Sequence, residues 1–168
     1  MNAAKGSIVL IGFMGAGKSA VGRELARRTG LPRRDTDEII RQRFSASIPE
    51  IFERHGEMTF RDAETEVLQS LDNGAVIVTG GGVVLREENL RLLRRLGRTI
   101  WLDADEETLW RRASRRSTRP LLHGQNPRGR FSALLRERVG LYEAAADERV
   151  DTTEGSIGEV AEQILSQT

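Results

Sequence analysis

Residues 7–20 read Ser7-Ile8-Val9-Leu10-Ile11-Gly12-Phe13-Met14-Gly15-Ala16-Gly17-Lys18-Ser19-Ala20. A short β-branched run breaks into a glycine-rich loop, and the loop closes on Lys-Ser. Gly12 to Ser19 is a complete G-x-x-x-x-G-K-[ST] phosphate-binding loop. Its glycines let successive backbone N–H groups turn toward phosphate oxygens. Lys18 can reach the outer phosphates, Ser19 offers a hydroxyl to a Mg²⁺-like ion, and a helix starting near Gly17 would add its positive end. The chain's own composition gives these four fixed positions odds of about one in four hundred. The pattern predicts a nucleotide site, though not yet a reaction.

Outward from this loop, continuous apolar runs recur at 75–79 and 99–102, with a weaker one at 149–152. Such runs suit strands covered on both faces. Helical patterns lie between them: Val21, Leu25 and Ala26; Ile39, Ile40 and Phe44; Leu90, Leu93 and Leu96; and finally Ile157, Val160, Ala161, Ile164 and Leu165. Strands alternating with helices predict an α/β domain with a mainly parallel sheet. Two stretches interrupt the alternation. Residues 48–71 hold two helical patterns with no strand between them, an insertion beyond a minimal crossover. Residues 114–129, SRRSTRPLLHGQNPRG, predict a long irregular connection of the kind that serves as a mobile lid.

Composition narrows the function. The 168 residues carry 26 basic and 25 acidic side chains, so net charge offers no argument for a nucleic-acid partner. With no cysteine there are no disulfides, thiolate metal sites or cysteine nucleophiles, and His55 and His123 are the sole histidines. No run approaches the ~18 apolar residues that span a bilayer. The first apolar run ends in a loop rather than a signal-peptide core, which predicts a cytoplasmic protein. Only Lys5 and Lys18 among the basic residues are lysine, so position must pick out the arginines that matter.

The metal's carboxylate partner has two candidate sources. Asp103 follows one strand run, but Asp103-Ala104-Asp105 reads better as the cap of a helix. Asp35-Thr36-Asp37 follows the loop by about one βα unit, and acids at i and i+2 point the same way if extended. Helix capping ahead of Glu38 is the competing reading. Beyond them, Gly56-Glu57-Met58-Thr59-Phe60-Arg61-Asp62-Ala63-Glu64 sets Arg61 and Glu64 at i, i+3, where they can pair. Gly80-Gly81-Gly82 allows a ligand close to the backbone. Arg119-Pro120-Leu121-Leu122 lies in the expected lid, and Arg138-Val139-Gly140-Leu141-Tyr142 lies on a helix.

In order and spacing these elements resemble the shikimate kinase family over essentially the whole chain: P-loop, D-[ST]-D, G-E-x-x-F-R-x-x-E, G-G-G, R-P-L-L, R-x-x-L-Y. Each later motif is weak alone; six in order are specific. The resemblance implies a three-layer P-loop fold of 1–168 with a five-stranded parallel sheet flanked by helices, a substrate-binding insertion at about 33–72 and a lid at about 114–129. It implies ATP-dependent phosphorylation of the 3-hydroxyl of shikimate by a monomer, with Mg²⁺. Carried residue by residue, Gly15, Ala16, Gly17, Lys18, Ser19 and Ala20 would hold the phosphates, with Ser19 and Asp35 around the metal. Asp37 would meet the attacking hydroxyl, Arg61 and Arg138 the substrate carboxylate, and Gly81 the ring, with Glu64 orienting Arg61. Arg119 would swing toward the transferring phosphoryl group, and Arg112 would lie over adenine.

Two segments depart from the family pattern. Leu31-Pro32-Arg33-Arg34 stands where an apolar strand is usual, so that strand should be short or displaced. Thr153 to Ile157 lacks the basic or proline residues usual near the base. Competing readings are a gluconate-type or nucleotide kinase, or a nucleotide-binding paralogue without catalysis. A guanine-nucleotide switch is disfavoured, because no N-K-x-D motif occurs.

Overall fold

The computed structural model describes residues 6–116 and 124–167. Strand β1 (Ser7–Ile11) leads into helix α1 (Lys18–Thr29), then β2 (Arg33–Asp35), α2 (Thr36–Phe44) and α3 (Ile48–Ser70). Next come β3 (Val76–Val78), a 3₁₀ turn at Val83–Leu85, α4 (Glu87–Leu96), β4 (Gly97–Asp103) and α5 (Glu106–Ser114). Helix α6 (Pro127–Ala145), β5 (Glu148–Asp151) and α7 (Ile157–Ser166) complete the order. The strands form one parallel sheet, β2-β3-β1-β4-β5. Helices cover both faces, as buried parallel strands require.

Position in the sheet explains which strands were legible. Central β1 and β3 are buried along their whole lengths, and so is β4 beyond its first two residues. The edge strands carry the polar residues: Arg33 and Arg34 in β2, Glu148 and Arg149 in β5. β2 is three residues long and pairs only with β3, Arg33 opposite Val76 and Asp35 opposite Val78. The short strand expected before Asp35 is therefore present. Its arginines are tolerated because an edge leaves Arg34 exposed and Arg33 half-buried.

Two apolar clusters fill the interior. The larger packs α1, α4, α6 and α7 against the sheet through residues such as Leu25, Leu93, Phe131 and Ile164, all fully buried. The smaller belongs to α2 and α3 alone: Ile40, Ile51, Phe60, Ala63 and Val67. Helix α3 breaks at Gly56, whose φ of 83° and ψ of 168° are not helical, which accounts for two apolar patterns in one run. Its start is secured by a capping box in which Ser47 and Glu50 bond reciprocally.

Two expectations need correction. Residues 114–129 are not irregular throughout, because Ser114 ends α5 and Pro127 opens α6. The Asn126 side chain accepts the Gly129 N–H at 3.1 Å, and proline suits the first helical position. Residues 117–123 of the expected lid, Arg119 among them, lie outside the described residues. Ile157 does not join the buried stripe of α7; as the helix's first residue it stays 49% exposed.

Candidate active site

Every strand of a parallel sheet ends on the same side, and the loops beyond those ends build the site. Gly12 to Gly17 joins β1 to α1. Gly12 (φ 149°) lies so near the Leu102 carbonyl that a Cβ would overlap it, and Gly17 caps α1 in the left-handed region. Lys18 lies back across the loop, its Nζ donating to Gly12 O at 2.6 Å and Phe13 O at 3.1 Å. A cavity of about 230 Å³ opens here, lined by Gly15, Gly17, Lys18, Ser19 and Ala20, with Met14, Arg112 and Arg116.

Arg112 is held from below. It donates to Thr152 Oγ1 at 3.0 Å and Thr152 O at 2.6 Å, and more distantly to Gly15 O. Thr152 also bonds the Ala16 and Asp103 carbonyl oxygens, each at 3.0 Å, tying the end of β5 to the phosphate loop. Thr152 and Arg116 escaped the sequence reading; neither sits in a recognisable motif.

A second cavity of about 140 Å³ adjoins the first, Met14 lining both. Asp37, Arg61, Glu64, Gly80, Gly81, Gly82 and Arg138 supply its polar wall. Ile48, Phe52 and Phe60 from α3 supply an apolar wall; Phe60 belongs to the G-E-x-x-F-R-x-x-E motif, while Ile48 and Phe52 have no signal in the sequence beyond helical periodicity. Arg61 is fixed by Glu64 at 2.7 Å and crosses so close to Gly82 that a side chain there would overlap the guanidinium. Arg138 stands over the Phe13 ring and within reach of Gly81, whose carbonyl accepts the Tyr142 hydroxyl at 2.5 Å. The sequence thus brings Arg61, Glu64, Gly81, Arg138 and Asp37 together from α3, the β3 loop, α6 and α2.

The two acids of Asp35-Thr36-Asp37 follow the competing capping reading rather than forming an extended pair. β2 ends at Asp35 and α2 begins at Thr36, so Asp37 sits in a helical first turn. Asp35 is buried and caps α2, its Oδ1 accepting the Asp37 and Glu38 N–H groups at 3.0 and 3.2 Å. It lines neither cavity. Asp105, rather than Asp103, caps α5, while Asp103 pairs with Arg149 at 2.5 Å.

Three buried atoms of residues lining the second cavity have no hydrogen-bond partner among the described residues: Asp37 Oδ1, Glu64 Oε1 and Arg138 Nε. Both carboxylate oxygens aim at Gly80, within 2.8 and 2.9 Å of where its Cβ would be. Burial pushes the Asp37 carboxyl up, the Asp35 charge adding and Lys18, Arg41 and Arg61 opposing. Burial also pushes Glu64 up, against the pull of Arg61. Unsatisfied buried groups of both signs are costly unless something fills the space between them. The chemistry they await has hydroxyls for the carboxylates and an anion for the guanidiniums.

A phosphate cradle opening on a pocket of this polarity defines a small-molecule P-loop phosphotransferase with an alcohol acceptor. Comparison with known proteins makes the class specific. The family model described as "Shikimate kinase" matches residues 14–168. The shikimate kinase of Ruegeria pomeroyi is 44% identical over 162 residues, covering 95% of this chain and 83% of the relative. That of Symbiobacterium thermophilum is 45% identical over 165 residues, covering 96% and 95%. Among solved structures, the shikimate kinase of Acinetobacter baumannii in complex with shikimate superposes with a TM-score of 0.93 at 37% identity, covering 97% of this chain and 92% of that one. The chain belongs to the shikimate kinase family.

Proposed function

We propose that the chain transfers the terminal phosphoryl group of ATP to the 3-hydroxyl of shikimate, giving shikimate 3-phosphate and ADP. The observation that carries this is the convergence of Arg61 and Arg138 on one pocket that adjoins the phosphate loop through Met14. Two guanidiniums suit a planar carboxylate, and the apolar wall of Ile48, Phe52 and Phe60 suits the face of a carbon ring, which an open-chain sugar acid lacks.

In this reading Gly15 to Ala20 hold the phosphates and Lys18 leaves its carbonyl partners to meet them. Arg112 lies beside the base, and Gly81 approaches the shikimate ring. Asp37 receives the attacking hydroxyl at its unpartnered Oδ1 and, kept in a dry environment, holds or takes its proton. Glu64 sets the plane of Arg61. Arg119 acts on the transferring group from the lid; that role rests on its motif. The 33–72 segment serves as the acceptor-binding insertion. Phosphoryl transfer asks mainly for positioning and charge neutralisation, and these residues supply both.

The donor set also fits a Mg²⁺ ion that keeps several waters. Ser19 brings a hydroxyl to the phosphate cavity, and Asp35 has an oxygen, Oδ2, that is not used in capping. Bound with ATP, such an ion neutralises charge developing on the phosphates. No helix among the described residues is long and apolar enough to cross a membrane; we assign the chain to the cytoplasm as a monomer. A coupled ADP-release assay with shikimate, gluconate and nucleoside monophosphates tests the reading. Release with shikimate alone is expected, and a preference for either other acceptor overturns it.

A further inference from the structure

Arg33 lines neither cavity, yet it engages the acid assigned to the cation. As the first residue of an edge strand it reaches past the strand end toward the start of α2. Its NH1 donates to Asp35 Oδ2 at 3.2 Å, and its NH2 donates to both Glu38 carboxylate oxygens at 2.9 and 3.0 Å. With Oδ1 capping the helix, both oxygens of Asp35 are held by the chain itself. The bond to Asp35 is the longer and single one, and the bonds to Glu38 are the shorter pair. Arg33 thus has a second carboxylate that can keep it if it lets go of Asp35.

A guanidinium beside a carboxylate offsets part of its field and repels a cation approaching the same oxygen. We propose that Arg33 is a positioning residue that weakens the divalent-cation site by sharing Asp35 Oδ2, with Glu38 as the partner that retains it when the cation is bound. The proposal rests on the assignment of Asp35 to that site. Arg33 and the cation compete for one oxygen, so removing Arg33 tightens cation binding. The site's affinity is set by an edge-strand residue that contacts neither nucleotide nor acceptor.

The test uses the full chain with ADP and Mn²⁺, free Mn²⁺ being read by electron paramagnetic resonance. Arg33→Leu and Arg33→Gln should each lower the Mn²⁺ dissociation constant by at least about threefold, a modest share of one unit-charge interaction near a protein surface. The glutamine variant keeps a neutral donor should the leucine variant fail to fold. Asp35→Asn should raise the constant, and in the Arg33→Leu/Asp35→Asn double variant the tightening should vanish, because its route is Asp35. Unchanged constants in both Arg33 variants, with Asp35→Asn weakened, overturn the proposal and leave the cation assignment standing. Persistence of the tightening in the double variant also overturns it. An Asp35→Asn constant equal to the native one removes the cation assignment and this proposal together.

Discussion

At the scale of single residues, two groups in the site have chemistry that the rest of the chain must accommodate. Lys18 bonds the carbonyls of its own loop and, in the proposed reading, exchanges them for phosphate. Lys18→Ala should cut the ADP-release rate with shikimate by at least about a hundredfold, the usual effect of losing one preorganised charge-stabilising group. Asp37 carries the opposite burden, because its carboxyl is pushed above the usual range, chiefly by burial. An acid raised in the folded state binds its proton more tightly there than when unfolded. It therefore lowers stability once pH rises past the ordinary carboxylate value, and the full penalty is present above the raised one. Asp37→Asn should melt higher than the native chain near pH 7, with the gain shrinking as pH falls toward 4. Thermal melts across pH check this, and an equal difference at every pH would contradict it. Lys18 was legible because its motif is local. Asp37's setting was legible only as the competing reading, a helix cap ahead of Glu38, because periodicity cannot show that a strand ends at Asp35 and a helix begins one residue later.

At the scale of elements, the acceptor side stands on a cluster of its own. Ile40, Ile51, Phe60, Ala63 and Val67 pack α2 against α3 and set the angle at which Arg61 and Glu64 enter the cavity. Ile51→Ala should cost about 2–5 kcal/mol by denaturant titration, in the range of large-to-small core substitutions. It should raise the KM for shikimate more than that for ATP, whose loop rests on β1 and β4. Equal effects on both would show that the two sides share one support. The central strands were legible as apolar runs, and the kink in α3 as two patterns with no strand between them. The edge strand β2 was legible only as a departure, since two arginines contradict a buried strand and agree with an exposed one. The first turn of α6 was hidden because Asn126 and Pro127 read equally as loop and as cap.

At the scale of the whole molecule, the sheet order places the phosphate loop after β1, the triple glycine after β3, Asp35 at the end of β2 and Thr152 after β5, all at one edge. The chain leaves β1 toward β2 and β3 and crosses back to reach β4, and the crevice between these directions is where ligands of open α/β sheets bind. Two cavities meet at Met14, and Arg61 and Arg138 both line the one away from the phosphate loop; in the proposed reading they grip the acceptor there. That grip is most directly tested by calorimetric titration of shikimate into the native chain and into Arg61→Ala and Arg138→Ala. Each variant should lose roughly 1.5–3 kcal/mol of binding, the worth of a charge-assisted hydrogen bond. Affinity unchanged in both would contradict the account and leave a nucleotide cradle whose acceptor lies elsewhere.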